Sequence, residues 1–182
     1  FYVAAAAGDL DLWVNGWFGT HDTYIAEAKG KVKAVGNVMA KGGLQGYLID
    51  KRTADKLNIK SVMDIKKHAK QFDSNGDGKA DMVACPPGWG CEKQITKHFA
   101  ELGLGDFINP VQADYSASMA DAIAKFKNGK SVLFYTWTPN WTVGALELGK
   151  DIVWIEVPYS QTKAVKVPNA TKSKINMGFG AD

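Results

Sequence analysis

The sequence predicts an α/β fold, and three observations point there. Short β-branched and aromatic runs, residues 132–137 and 152–157, alternate with stretches of helical apolar spacing. A composition of 46% hydrophobic, 11% aromatic and 23% charged residues is globular and excludes a disordered or fibrous chain. At 182 residues there is room for one sizeable core or two small lobes, and no internal repeat divides it.

In order along the chain, residues 10–14 read as a strand. Thr20 caps a helix carrying His21, Tyr24, Ile25 and Ala28, which Gly30 ends. Gly42, Gly43 and Gly46 precede a short buried strand over residues 47–50. Ser61 followed by Asp64 forms a capping box for a helix reaching about Lys70. Residues 92–104 make the next helix. Residues 116–127 make another, on the spacing of Ala120, Ile123, Ala124 and Phe126, and Gly129 closes it. The two strongest strands follow, and the Lys-rich residues 161–174 read as a surface loop.

Charge excludes some partners. The net charge of +3 comes from 21 Lys scattered along the chain against one Arg, Arg52. Phosphate and nucleic-acid sites favour Arg forks, so no nucleic-acid partner is expected. No run approaches the ~18 apolar residues that span a bilayer, so no membrane insertion is expected. Phe1 opens the chain without Met or a signal segment, which reads as a mature or truncated product.

Three features carry chemistry. Of the six Trp, Trp17, Trp89 and Trp137 sit in turns next to strand or helix ends, where α/β proteins bind ligands. Indole faces grouped there attract cations, above all quaternary ammonium groups. Trp13, Trp141 and Trp154 read as core fillers instead. The second feature is the run from Cys85 through Pro86-Pro87-Gly88-Trp89-Gly90 to Cys91. Cysteines six apart around such a turn can reach disulfide geometry, implying an oxidising compartment such as the periplasm. Buried free thiols are the alternative, and zinc-like spacing is missing from the two Cys and three His. The Gly90 and Cys91 amides open the following helix and make a carboxylate site. Beside the Trp89 face, they suit a small zwitterion. His21, four residues after Trp17, either donates to that carboxylate or caps its own helix; His68 and His98 read as surface residues. The third feature, Asp73, Asn75, Asp77 and Asp81, matches a calcium loop at four positions, but Ala84 stands where the bidentate Glu belongs. Structural calcium and a self-bonded Asx-rich turn both remain open, and no other cofactor is required.

Four segments together resemble the periplasmic glycine betaine/proline betaine-binding proteins of ABC importers: residues 45–51, residues 73–81, Pro87-Gly88-Trp89-Gly90-Cys91-Glu92, and Tyr135-Thr136-Trp137-Thr138-Pro139. The resemblance implies a periplasmic binding protein of type II, two α/β lobes closing like a flytrap, with a betaine as ligand and a membrane ABC permease as partner. It implies a three-Trp box matching Trp17, Trp89 and Trp137, a carboxylate grip matching His21, Gly90 and Cys91, and a Cys85–Cys91 pair. Family members are considerably longer. On that comparison residues 1–37 end lobe one, 38–176 form lobe two, and 177–182 begin the return crossing. Residues 17–21 here replace the family's Trp-Thr-Pro-Leu-His, and Gly16 is extra.

Two other readings compete. A cysteine-dependent hydrolase would use Cys91, its pKa lowered at a helix start, with His98 seven residues on. A ligand-sensing or fused receptor domain of the same fold would share the binding chemistry and differ in output.

Overall fold

Local signals set most element boundaries in the computed structural model, which describes residues 1–18, 20–39 and 43–158. The Ser61 hydroxyl accepts from the Met63 amide (3.3 Å), and the Asp64 carboxylate accepts from the Lys60 and Ser61 amides (3.0 Å each). This reciprocal cap opens a 3-10 turn, Val62–Asp64, that runs into a short helix. In chain order the helices are α1 (Tyr2–Ala7), α2 (Asp22–Glu27), α3 (Lys51–Leu57), α4 (Ile65–His68), α5 (Gly90–Leu102), α6 (Tyr115–Lys127) and α7 (Thr142–Ala145). The strands are β1 (Leu44–Asp50), β2 (Ala80–Val83), β3 (Ile108–Val111), β4 (Leu133–Thr138) and β5 (Ile152–Ile155).

These strands form one mixed sheet in the order β3-β2-β4-β1-β5. β2 runs parallel to β3 and β4, whereas β1 is antiparallel to β4 and β5. The β1–β4 register sets Gln45 opposite Trp137 and Tyr47 opposite Tyr135, so all four side chains share a face. α5 covers that face, its His98 and Phe99 rings meeting Tyr47 at 6.5 and 6.4 Å. Thr136 points the other way and meets Tyr115 of α6 (2.8 Å). β2 therefore leads to β3 over one face, and β3 leads over the opposite face to β4 on the far side of β2. Such a reversal opens a crevice at the carboxyl ends of the strands, where α/β sheets bind ligands. The core beneath it includes the fully buried Leu48, Ile49, Phe134, Ile65 and Met82.

Several sequence expectations are corrected. Residues 10–14 form no strand: Leu12 and Val14 are exposed, and no sheet edge among the described residues reaches them. Thr20 does not cap α2; His21 takes the N-cap position, and the Thr20 hydroxyl accepts from Gln45 instead. Gly46 lies inside β1, which begins at Leu44 rather than Tyr47. His98 is buried at 2% exposure rather than on the surface, because the α5 face carrying it packs on Tyr47. Trp141 is half-exposed rather than a core filler, since it caps the short α7 at the rim of the crevice. The boundary expected near residue 37 falls in the irregular stretch between α2 and β1. Gly42, the Lys-rich residues 161–174 and the return crossing at 177–182 lie outside the described residues.

One buried carboxylate ties the sheet to its neighbours. Asp50 ends β1 and caps α3, accepting from the Thr53 amide (2.9 Å), while its other oxygen accepts from the Val132 amide (3.0 Å) just before β4. At 1% exposure, both amides lose their partner if the carboxylate is removed. Asp50→Ala is expected to destabilise the fold by about 2 kcal/mol, read as a lowered urea midpoint with unchanged slope; an unshifted midpoint would contradict this role.

Candidate functional site

The turn between β2 and α5 is held in shape by its own covalent and backbone chemistry. Cys85 and Cys91 are joined by a disulfide with Cα atoms 6.0 Å apart, and Gly88 takes a φ of 87°, which a side chain would strain. Trp89 follows as the N-cap of α5 in extended conformation. The Gly90 and Cys91 amides are the first two of the helix and have no intrahelical acceptor, so they point outward at its positive end.

The Thr20–His21 segment packs directly on this helix start. A Cβ at Gly90 would lie 2.6 Å from the Thr20 methyl, 3.2 Å from the Thr20 carbonyl oxygen and 3.2 Å from His21 Cδ2. His21, read from sequence as a ligand donor or a local cap, thus stands beside the amide pair. Its ring is fixed from behind: the Trp17 amide donates to Nδ1 (3.1 Å), and the Tyr2 hydroxyl reaches the same nitrogen (3.0 Å). Because a backbone amide only donates, Nδ1 accepts and the neutral ring carries its proton on Nε2. That leaves Nε2–H as a donor for a ligand. Burial pushes the imidazole below its usual pKa, against the opposing pull of the Asp22 carboxylate.

The aromatic groups gather on the other side of Trp89. Trp89 and Trp137 meet edge-to-face with centroids 5.8 Å apart, and Tyr115 tilts against both at 6.1 and 5.1 Å. The Tyr115 hydroxyl donates its proton to the Tyr135 carbonyl (3.0 Å) and shares a hydrogen bond with the Thr136 hydroxyl (2.8 Å), and burial pushes its pKa up to about 12. It therefore stays a neutral donor that locks the ring in place. Two hollows meet at Trp137. One, of about 510 Å³, is lined by Trp89, Tyr115, Trp137 and Trp141; the other, of about 710 Å³, is lined by Trp17, Phe18, Trp137 and Pro139 among others. Trp17 and Trp89 thus flank Trp137 from different sides, with the Trp17 indole N–H donating to Asn15 (2.9 Å). Sequence reading missed Tyr115 and Trp141; the aromatic Tyr115, at the start of its helix, was the available signal.

The acidic loop is self-satisfied. The Asp73 carboxylate accepts from the Asn75, Gly76 and Gly78 amides, and Asp81 accepts from the Ser74 amide and hydroxyl. Asp77 accepts from the Lys79 amide and from the side chains of Asn75 and Asn109. The Gly78 and Gly76 amides hold the Asp73 carboxyl below its ordinary range. Among the described residues, no group of three or more His, Cys, Asp or Glu is placed to hold a metal ion.

Comparison with known proteins adds a context to this geometry. Residues 1–175 match the family described as the substrate binding domain of ABC-type glycine betaine transport systems. The chain is 42% identical, over 98% of its length, to the glycine betaine-binding periplasmic protein OusX of Dickeya dadantii. It is equally similar to the glycine betaine/proline betaine-binding periplasmic protein of Escherichia coli. It spans about half the length of these curated relatives, 55% in each case. Among solved structures it resembles the glycine/betaine/L-proline-binding protein of Borrelia burgdorferi, with a TM-score of 0.66 and 21% identity over 86% of this chain and 54% of that one. Lactococcal OpuAC in its closed form with glycine betaine gives a TM-score of 0.66 at 20% identity, covering 86% and 55%. These two likenesses show the fold, that of the type II periplasmic binding proteins.

The lowered His21 pKa makes a pH prediction. Below the usual 6.5 the unfolded chain binds a proton that the folded ring refuses, so this contribution to stability is complete above pH 6.5 and is lost as pH falls toward the lower folded-state value. Urea midpoints measured from pH 7.5 to pH 5 are expected to fall more steeply for the native sequence than for His21→Gln. Parallel curves would contradict the burial of the ring.

Proposed function

Because the chain belongs to the family of substrate-binding domains of ABC-type glycine betaine transport systems, we propose that it captures glycine betaine or proline betaine in the periplasm for a membrane ABC permease. The observation that carries this reading is the joining of two opposite chemistries at Trp89. On one side lie the indole faces of Trp89 and Trp137, whose negative quadrupoles attract a methylated onium that cannot donate hydrogen bonds. On the other lie the Gly90 and Cys91 amides and the His21 Nε2–H, donors for a carboxylate. Trp17, the third indole expected from the sequence, lines the second hollow with Trp137 and not the one that holds Trp89, so the onium is assigned to the Trp89–Trp137 pair.

Binding without catalysis is the proposed activity. The hydrolase reading loses its nucleophile, since Cys91 is bonded to Cys85 and holds no thiolate. The periplasm, named for the relatives above, is a compartment in which that disulfide persists.

Calorimetric titration with glycine betaine tests the proposal. A desolvated cation–π contact is worth about 2 kcal/mol, so Trp89→Ala and Trp137→Ala are each expected to weaken binding about 30-fold or more with the far-UV spectrum unchanged. Undiminished affinity in both variants would overturn the assignment of these indoles to the onium.

A further inference from the structure

A buried chain of hydrogen bonds runs from the sheet to the segment that carries His21. The Tyr135 hydroxyl donates to Gln45 Oε1 (2.6 Å), and Gln45 Nε2 donates to the Thr20 hydroxyl (3.2 Å). All three residues are buried, and Gln45 stands opposite Trp137 in the β1–β4 register. Thr20 is also the residue whose methyl and carbonyl crowd Gly90. We propose that Gln45 is a positioning residue for ligand binding: it tethers Thr20 to the sheet and thereby holds the His21 imidazole over the Gly90–Cys91 amides.

Besides the Thr20–Gly90 packing and the Lys93 ammonium over the Tyr24 ring (4.7 Å), a hydrogen bond from Gln45 ties this segment to the sheet among the described residues. α2 is six residues long, has no side-chain cap and buries none of its own residues, so its packing alone does not determine where its N-terminus lies. The bonds on His21 Nδ1 come from Trp17 and Tyr2, which belong to the same amino-terminal region and move with it. Gln45 is the donor that comes from the sheet. As placed, Gln45 Oε1 accepts from the Tyr135 hydroxyl and Nε2 donates to the Thr20 hydroxyl, and because each hydroxyl can donate or accept, the amide pairs with both groups in either orientation. A glutamine suits the place because it is neutral, reaches both groups and presents an acceptor and a donor on one rigid plane.

The inference rests on the betaine reading for its ligand, so its test has one arm without any ligand. Thr20→Val removes the acceptor while leaving the Tyr135–Gln45 bond intact, and Gln45→Met removes both bonds. In ligand-free protein, the NMR cross-peak between His21 Hδ2 and the Gly90 α-protons is expected to be strong in the native sequence and lost in both variants, with Leu48 and Phe134 shifts unchanged. In titrations, both variants are expected to bind glycine betaine about tenfold more weakly, the double variant no worse than Gln45→Met, and tetramethylammonium, which has no carboxylate, equally well. A cross-peak that survives in both variants would overturn the proposal. So would an equal loss of affinity for the two probes, which marks general loosening of the fold. If the native protein binds neither probe, the betaine reading fails while the cross-peak still decides the role of Gln45.

Discussion

The candidate site depends on the missing side chain at Gly90. The Thr20–His21 backbone passes so close to the start of α5 that even a methyl group would drive it away. Its nearest neighbours include the Thr20 carbonyl, which is backbone and cannot rotate aside. This single contact sets an imidazole donor next to two unpaired helix amides. Trp89 is the preceding residue, and it meets Trp137, set by the β1–β4 register, and Tyr115, held by its hydroxyl bonds to Tyr135 and Thr136. The disulfide then keeps the turn from relaxing, because it links the end of the strand segment to the first turn of the helix.

Separation of the two binding chemistries follows from the sheet's topology. β2 and β4 are neighbours and parallel, so their carboxyl ends open on the same side. One delivers the Trp89 turn and the other delivers Trp137, with the α6 N-terminus bringing Tyr115 between them. The helix end that favours anions faces the amino-terminal segment, while the indoles gather at the carboxyl ends of β2 and β4. Neutral donors and aromatic faces avoid the desolvation cost that a buried Lys or Asp would carry.

How much of this was legible in the sequence depended on range. Signals acting within one turn read correctly: the Ser61–Asp64 box and the Cys85–Cys91 spacing both concern residues a few positions apart. β2 and β3 were missed because each has four residues, and Asp81 and Pro110 interrupt their apolar character. α3 was missed because Asp50 serves as both the last strand residue and the helix cap, leaving no loop between them. Residues 10–14 failed in the opposite sense, since an apolar run becomes a strand only where a neighbour completes its hydrogen bonds. At the site, the six ligand candidates could be named from local turns, yet His98 meets Tyr47 51 residues away and Gln45 meets Tyr135 90 residues away. Pairing in a sheet decides such contacts, and no local pattern encodes it.

In the proposed function, methylated nitrogen meets the Trp89 and Trp137 indoles and carboxylate meets the Gly90 and Cys91 amides. The most direct measurement of this pairing is a calorimetric series running from glycine betaine through dimethylglycine and sarcosine to glycine. Affinity is expected to fall at each removed methyl, most steeply at the first, where the ligand gains an N–H and loses a methyl that packs on the indole faces. Equal affinity across the four compounds would contradict it.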